Sequence, residues 1–326
     1  MSSTGIGAAG QSFDRAKRTL ITDQSLTRWF AKRGRESFIL GSWNPCIHES
    51  VIEITSLNDG RVSDYTHVGD PLWLLERGLF VAEGRFVVRR LFEAGTFEVR
   101  SVLATPAAFA ALDDVLIVSR CPVYVCPQDT VAQLTGFNFH RGCLALGERP
   151  PRIGGLDCLA RTRCLLALEG VGNPDNVGGL FRVAAAFGTG GILLDETSGD
   201  PLYRKAIRTS MGWSLSVPCA RVREWLAALD TRRVAGADLI ALTPDRLAVP
   251  LADYVRSRAS DRPFVLMLGS EGAGLSSDAM AAATVRVRIP IAKDVDSLNV
   301  VVAAGIALAA FGNSSPVSES LSSRAT

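Results

Sequence analysis

The sequence of 326 residues predicts an α/β protein in two parts, the second of which holds a parallel β-sheet. Between Val51 and Gly147, short strand patterns alternate with helical ones over the length of a small domain. From Leu156 onward, strand, loop and helix patterns repeat, which is typical of a parallel sheet with helices on both faces. Within residues 264–306, two apolar strands end in polar loops, and ligands of such sheets bind at the carboxyl ends of strands.

The first part is expected to be a small α/β domain over residues 38–150. Residues 85–94 (RFVVRRLFEA) carry apolar side chains at helical spacing. Residues 1–37 have weak periodicity and scattered charges, so we expect a flexible N-terminus with a single helix over 23–32. Strands are predicted at 79–83, 99–104, 115–119, 122–125 and 140–147, and a further helix at 106–112.

The second part is expected over residues 156–312, after the Pro- and Gly-rich linker ERPPRIGG at 148–155. The polar, serine-rich residues 313–326 are predicted to be disordered. Strands are predicted at 164–168, 191–194, 215–219, 239–242, 264–268 and 285–289. Helices are predicted at 177–187, 203–210 and 223–229, and from Ser297 onward.

Composition argues against several classes of function. The formal net charge is only +2, so nucleic-acid binding would depend on local basic clusters. The 7 cysteines and 3 histidines show no paired ligand spacing, so we expect neither a metal nor histidine-based catalysis. The N-terminus lacks a signal-peptide pattern, and the longest apolar run, 300–311, is too short for a bilayer. We expect a cytoplasmic protein, with a transit peptide as the alternative.

The loop after the strand at 164–168 is the first candidate site. Asn176 is predicted at the helix cap, and Gly178 and Gly179 let another molecule approach the first turn closely. Arg182 follows on the same helix among apolar residues, where a cation needs an anionic partner or a solvent-lined cleft. Its ordinary structural interpretation is an ion pair with a nearby acid.

Two more candidate sites lie in the C-terminal stretch. Glu271 stands between Gly269 and Gly274, where it faces a ligand or belongs to an ordinary turn. Ser297 at a predicted helix start is most often a cap, and Asn299 adds an amide in the first turn. Together these loops bring a carboxylate, a hydroxyl and an amide to neighbouring strand ends.

A nicotinamide enzyme is an alternative that the glycine pattern disfavours. The dinucleotide fingerprint requires G-x-G-x-x-G after the first strand. Gly170 and Gly172 begin it, but residue 175 is Asp and Pro174 lies inside it. Asp195 would be the ribose-binding acid in this interpretation.

Three blocks in fixed order resemble the motifs of the SpoU/TrmH family of RNA ribose 2′-O-methyltransferases, within the SPOUT superclass. Residues 173–188 (NPDNVGGLFRVAAAFG) are similar to the first motif, 268–275 (LGSEGAGL) to the second and 289–300 (IPIAKDVDSLNV) to the third. Residues 208–212 (RTSMG) resemble a segment that the family carries between the first two. The resemblance covers about residues 160 to 312.

The N-terminal part more loosely resembles the small RNA-binding domain, ribosomal-protein-like in fold, that many members carry. Residues 80–90 and 140–145 are the similar segments. Arg85, Arg89 and Arg90 give the predicted helix a basic face, which is either solvated surface or an RNA contact. Further RNA contacts are expected near Arg204, Lys205 and Arg208.

The resemblance implies a trefoil-knotted parallel-sheet domain, S-adenosylmethionine as cofactor, structured rRNA or tRNA as substrate, and a homodimer through the knotted domain. It implies that Arg182 activates the ribose 2′-hydroxyl. The residues it implies to shape the catalytic site are Asn176, Glu271, Ser297 and Asn299. Those it implies to hold the cofactor are Leu268, Gly269, Gly274, Ile289 and Leu298.

Two departures from the family pattern leave a second hypothesis open. Lys293 and Asp294 occupy a loop where many members have small residues, and Gly179-Leu-Phe before Arg182 is bulkier than in some. A non-catalytic RNA-binding protein that retains the knot is therefore the alternative.

Overall fold

The computed structural model describes residues 51–136, 142–159 and 162–312. Three predictions lie outside the described residues: the helix over 23–32, a flexible N-terminus over 1–37 and disorder over 313–326. Two β-sheets organise the chain, one of five strands and one of seven.

The first sheet is mixed, with strand order β1-β4-β3-β5-β2. β5 pairs antiparallel with both β2 and β3, whereas β4 pairs parallel with β1 and β3. Its strands are β1 (Val51–Glu53), β2 (Leu79–Glu83), β3 (Val99–Ala104), β4 (Val123–Val125) and β5 (Cys143–Glu148). Its helices are α1 (Pro71–Glu76), α2 (Arg85–Ala94), α3 (Pro106–Leu116) and α4 (Gln128–Thr135), with a 3₁₀ helix over Gly60–His67.

The predicted strands at 79–83 and 99–104 and the helix at 85–94 are confirmed. The strand predicted at 115–119 is wrong, because α3 continues to Leu116, which it buries beside Leu112 on one helical face, and a turn follows. The strand predicted at 140–147 begins at Cys143 among the described residues. The first helix, α1, was not predicted, although Asp70 caps it and Pro71 begins it.

The second sheet is entirely parallel, as predicted, with order β10-β12-β9-β11-β6-β7-β8. Its strands are β6 (Cys164–Glu169), β7 (Gly191–Leu194), β8 (Cys219–Arg221), β9 (Asp238–Leu242), β10 (Val249–Pro250), β11 (Phe264–Gly269) and β12 (Val285–Arg288). Its helices are α5 (Pro174–Ala186), α6 (Arg204–Thr209), α7 (Trp225–Val234), α8 (Leu251–Ser257), α9 (Ser277–Ala282) and α10 (Val300–Gly312).

Both faces of this sheet are buried. Along β6, Leu166 and Leu168 belong to one apolar core, while Leu165 and Ala167 belong to the core on the opposite face. This explains why the strands read as continuous apolar runs. The strand predicted at 215–219 is misplaced, because a 3₁₀ turn at Trp213–Leu215 precedes β8.

The segment around α6 packs on the first sheet as well as on its own. Leu202, Ile207 and Leu215 share an apolar core with residues of β2 and α2. Arg204 forms an ion pair with Glu83 at 2.8 Å. On α2, Arg90 lies 3.6 Å above the Trp213 ring and donates to the carbonyl oxygen of Met211 over 2.7 Å. Apolar and charged contacts therefore join the two sheets directly.

Candidate active site

The site lies at the carboxyl edge of the second sheet, where the loops after β6 and β11 are neighbours. β6 and β11 pair along their length, with Glu169 opposite Gly269 at their ends. The loop after β6 leads into α5, and the loop after β11 leads into α9. Because parallel neighbours end at the same edge, these two loops lie side by side there. A cavity at this edge is lined by the loops after β9, β11 and β12 and by the segment before α10.

The glycine-rich loop after β11 is closed on itself. Ser270 and Gly274 exchange backbone hydrogen bonds of 3.2 and 3.1 Å. A Cβ atom at Gly269 would lie 2.1 Å from the backbone carbon of Gly274, so only glycine fits there. Gly272 and Gly274 have positive φ angles of 99° and 71°. The loop therefore turns tightly at the sheet edge, with Glu271 on its exposed side.

Three of the predicted catalytic side chains form a hydrogen-bonded cluster. Asn176 Nδ2 donates to Glu271 Oε1 over 2.7 Å. Asn299 Nδ2 donates to the same oxygen over 3.1 Å and to Asn176 Oδ1 over 3.0 Å. Asn176 is buried, at 6% exposure, whereas Glu271 and Asn299 are exposed. We call these residues the Asn176–Glu271–Asn299 cluster. It holds a carboxylate in place through two amide groups and leaves its second oxygen, Oε2, outside these bonds.

The helix caps differ from the prediction in both loops. Asn173 caps α5, since its side chain accepts from the backbone nitrogen of Asp175 over 2.8 Å. Asn176 instead lies in the first turn. Likewise α10 begins at Val300, and Asn299 Oδ1 accepts from the backbone nitrogen of Val301 over 2.9 Å. The helix start predicted at Ser297 is therefore wrong, and Ser297 lies exposed in the preceding loop.

A cavity of about 600 Å³ adjoins the cluster, a volume within the usual range for small-molecule sites. Glu271 and Asn299 line it, as does Ser297. All the residues predicted to hold the cofactor line it as well: Leu268, Gly269, Gly274, Ile289 and Leu298. Leu242, Ile291 and Val300 add apolar wall. An elongated ligand with an apolar body and polar ends suits this combination.

Arg182 is not joined to the cluster within one chain. Its side chain is exposed, and among the described residues it has neither a hydrogen bond nor an ion pair. The ordinary structural interpretation of Arg182, an ion pair with a nearby acid, is therefore not observed among the described residues. Three residues earlier, Gly179 packs against Val301 of α10, where a Cβ atom would lie 2.7 Å from Cγ2. Arg182 thus projects from the helix that packs on α10.

Sequence reasoning missed Glu169. Its two carboxylate oxygens accept from the backbone nitrogen and hydroxyl of Ser276 over 2.9 and 2.8 Å. Ser276 also caps α9, so this contact fixes the far end of the loop that carries Glu271. An acid at the end of a strand, directly before a glycine, was the available signal.

Asp195 has a different role from the one considered in the nicotinamide interpretation. Its Oδ1 accepts from the backbone nitrogens of Gly170 and Ser198 over 3.1 and 2.8 Å. Burial opposes the charged form, but hydrogen bonds from Ser198, Thr197 and the Gly170 amide lower the pKa of Asp195. The carboxylate therefore stabilises the turn after β7 and the loop after β6 through hydrogen bonds.

Two of the three arginines on the basic face of α2, Arg89 and Arg90, are engaged within the protein. Arg89 forms two hydrogen bonds with Asp114, of 2.6 and 2.8 Å, and Arg90 contacts Trp213 and Met211. Burial lowers the pKa of Arg90. These contacts favour a structural role for both side chains over a contact with RNA.

The described residues offer neither a metal-ligating group nor a membrane-spanning helix. Over 51–136, 142–159 and 162–312, no group of three or more His, Cys, Asp or Glu side chains is arranged to hold a metal ion. In the same ranges, no helix has both the length and the apolar composition needed to cross a membrane.

Comparison with known proteins identifies the family. Residues 163–309 match the model of the SpoU rRNA Methylase family. An uncharacterized tRNA/rRNA methyltransferase of Mycobacterium bovis is 34% identical over 261 residues, which cover 79% of this chain and 90% of the relative. A 23S rRNA (guanosine-2′-O-)-methyltransferase of Burkholderia sp. is 34% identical over 179 residues, covering 54% of this chain and 70% of the relative.

Solved structures agree with this relationship. The structure of an AdoMet-bound rRNA methyltransferase from Sinorhizobium meliloti matches with a TM-score of 0.68 and 26% identity. The match covers 81% of this chain and 98% of that one. With the three sequence motifs gathered at one sheet edge and a relative aligned over most of both chains, the chain belongs to the SpoU rRNA Methylase family.

Proposed function

We propose that this protein is an S-adenosylmethionine-dependent RNA methyltransferase that modifies the ribose 2′-hydroxyl of a nucleotide in rRNA or tRNA. The observation that carries the proposal is the Asn176–Glu271–Asn299 cluster at the rim of the cavity that the predicted cofactor residues line. The Sinorhizobium meliloti relative binds AdoMet, and the Burkholderia relative methylates a guanosine 2′-oxygen by its name. Both properties support the proposal.

The cavity suits the cofactor on the chemistry of its walls. S-adenosylmethionine, when bound, supplies a methyl group on a positively charged sulfur. Leu268, Ile289 and Leu298 provide apolar surface, and the missing side chain of Gly269 leaves room for close approach to the backbone. Loop backbone at the carboxyl ends of β11 and β12 provides polar groups at the same place.

The cluster orients the substrate. Methyl transfer needs the ribose oxygen in line with the departing sulfur, which is chiefly a matter of positioning. Asn176 and Asn299 hold one oxygen of Glu271, so the other oxygen can accept a hydrogen bond from a ribose hydroxyl. Ser297, which lines the cavity from the adjoining loop, is the hydroxyl proposed to contact the same sugar.

Arg182 is the proposed group that favours loss of the 2′-hydroxyl proton, because a nearby cation stabilises the developing negative charge. Within one chain it lies outside the cluster. We propose that it acts on the active site of a second copy of this chain in a homodimer. α10 exposes Val302 and Ile306, at 51% and 41%, beside the helix that carries Arg182. A second copy would cover this apolar surface and bring the guanidinium to its neighbour's cavity.

The trefoil knot is also part of the proposal. β12 lies between β10 and β9, and the chain then returns to pack α10 against α5 and β11. Arg246, after β9, donates to the carbonyl of Lys293, after β12, over 2.8 Å. These contacts bring the segments that a threaded chain requires into one place.

The test combines transfer and mapping. The protein is incubated with methyl-labelled S-adenosylmethionine and total RNA from a strain that lacks it, and the product is hydrolysed in alkali. A 2′-O-methyl group blocks cleavage of the following phosphodiester, so the label is expected in alkali-resistant dinucleotides. Label in mononucleotides would place the methyl group on a base and overturn ribose specificity. Cofactor binding by calorimetry without transfer to any RNA would favour the non-catalytic RNA-binding alternative.

A further inference from the structure

A groove of about 430 Å³ runs between α1 and α6, on the side of the molecule where the two sheets meet. We call it the α1–α6 groove. One wall carries Leu72 and Leu75, which are 71% and 57% exposed. Tyr203 stands on the other wall, at the start of α6. Single exposed apolar residues are common, but here neighbouring ones line a concave surface, the combination that marks ligand-binding grooves.

The floor and rim of the groove carry cations, most of which are already paired. Arg149 pairs with Asp200 at 2.6 Å, and Lys205 with Asp175 at 2.7 Å. Arg208 also lines the groove, is exposed and has no ion pair among the described residues. Its charge acts on nearby Asp175, but because it forms no ion pair there, its guanidinium can meet an anionic group of a ligand.

The groove and the candidate active site lie on either side of the loop that begins α5. Gly172 and Pro174 of this loop line the groove. Two residues later, Asn176 donates to Glu271, which lines the 600 Å³ cavity. The groove and the cavity are therefore connected through the short segment 172–176 and the Asn176–Glu271 hydrogen bond.

The two walls of the groove are fixed relative to each other. The α1 wall belongs to the first sheet and the α6 wall to the second. Arg204 bridges them through two hydrogen bonds to Glu83, of 3.0 and 2.8 Å, and Arg149 bridges the end of β5 to Asp200. The groove therefore needs little rearrangement to bind, which lowers the entropic cost of association.

We propose that the α1–α6 groove binds a single-stranded RNA segment adjacent to the methylated nucleotide. Unpaired bases lie against Leu72, Leu75 and Tyr203, and a backbone phosphate meets Arg208. Stacking on an aromatic ring together with a cation at the backbone is how proteins hold single strands without reading their sequence. The inference rests on the proposed function, because it takes the substrate to be RNA.

The experiment uses the full-length protein and total rRNA and tRNA as the probe, without cofactor. RNA affinity is measured by filter binding over a range of salt concentrations for wild type, Arg208→Gln and the Leu72→Ser/Leu75→Ser double variant. Controls are Arg163→Gln, at the amino end of β6, and Leu226→Ser on α7, both away from the groove. Circular dichroism and calorimetry with S-adenosylmethionine verify that each variant is folded.

The two groove variants are expected to change RNA affinity and its salt dependence in different ways. Arg208→Gln should weaken binding and reduce the slope of log affinity against log salt by about one, as expected for one lost phosphate contact. The double leucine variant should lose about tenfold in affinity with an unchanged salt slope, because it loses apolar contact with bases. Both controls should match wild type.

The outcomes separate this inference from the proposed function. If both groove variants keep the wild-type RNA affinity and salt slope, RNA does not bind in the groove. The proposed RNA methylation would be unaffected by that result. A lowered Tm in the leucine variant with unaltered RNA affinity would also overturn it, in favour of a segment of this chain lying in the groove. Wild-type protein that binds no RNA at all would overturn the proposed function first.

Discussion

Asn299 donates a hydrogen bond to Glu271 over 3.1 Å and thereby joins the start of α10 to the loop after β11. The same Glu271 oxygen accepts from Asn176, on the first turn of α5. Side chains from three separate motifs thus share one carboxylate oxygen. The geometry makes Glu271 the centre of the cluster and therefore the most informative residue to change.

Glu271→Ala should lower kcat/KM for methyl transfer by about a hundredfold, because the amides lose their shared acceptor and small misplacements are costly in such reactions. Glu271→Gln keeps an acceptor oxygen without the charge and should cost about tenfold. Both rates are measured by transfer of labelled methyl groups to total RNA. The residue is exposed, so the free energy of unfolding should change by less than about 0.5 kcal/mol. Unchanged transfer in Glu271→Ala would remove the carboxylate from the mechanism.

Arg182→Ala should abolish transfer while leaving the Tm close to that of wild type, because the side chain is exposed. A mixing experiment tests whether it acts across a homodimer. Arg182→Ala and Glu271→Ala protomers are denatured together and refolded as a one-to-one mixture. If each site takes its arginine from the partner, random pairing should restore about a quarter of wild-type activity.

The control for the mixing experiment is each variant refolded alone: Arg182→Ala should be inactive, and Glu271→Ala should keep about a hundredth of wild-type kcat/KM. If Arg182 acts within its own chain, every protomer in the mixture carries one defect. Activity in the mixture no higher than in the separate variants would then contradict the homodimer mechanism.

Gly269→Ala should damage the 600 Å³ cavity, which is the proposed cofactor site. The new Cβ atom would lie 2.1 Å from the backbone of Gly274, so the loop must move. We expect a loss of about 1–3 kcal/mol in the free energy of unfolding, as for an overpacked site, and weaker binding of S-adenosylmethionine by calorimetry. Gly60→Ala is the matched control, because a Cβ atom there meets nothing within 4 Å. Wild-type affinity in Gly269→Ala would show that the cofactor binds elsewhere.

Glu169→Ala should loosen the loop that carries Glu271, because it releases both contacts with Ser276. Hydrogen bonds to a charged group each contribute about 1.5–3 kcal/mol, less where water reaches them. Hydrogen exchange of the Ser276 amide should therefore accelerate, and the Kd for S-adenosylmethionine should rise. Asp278→Asn removes a charge from the same helix without touching this contact and should change neither. Unaltered exchange at Ser276 in Glu169→Ala would rule out this positioning role.

Arg90→Ala should weaken the contact between the two sheets. The guanidinium lies over Trp213 and donates to Met211, a non-glycine residue with a positive φ of 55°. Losing both contacts should cost about 2 kcal/mol in the free energy of unfolding, measured with denaturant. Arg89→Ala is the control on the same helix, and its ion pair with the exposed Asp114 should be worth less than about 1 kcal/mol. If both variants lost the same free energy of unfolding, the contacts of Arg90 would not stabilise the protein more than the surface ion pair of Arg89.

The sequence by itself determined the type and order of most elements. Apolar runs such as Phe264–Gly269 are buried on both faces, so their composition alone indicates a central parallel strand. The sequence was less informative where one segment has features of both a helix and a strand. Residues 115–119 have strand-like composition, but Leu116 is buried by continuing α3, and tertiary packing decided the outcome.

The motif residues were likewise visible in the sequence, because three blocks in fixed order resemble the motifs of one family, although each block alone would also suit an ordinary turn or cap. Only the tertiary structure decided which of them meet. It joined Asn176, Glu271 and Asn299 through one oxygen, left Arg182 outside that group, and gave Glu169 a supporting role. It also turned Arg90 from a candidate RNA contact into a link between sheets. The physical reason is that hydrogen bonds act over about 3 Å, whereas sequence spacing fixes distance only within a single helix or strand.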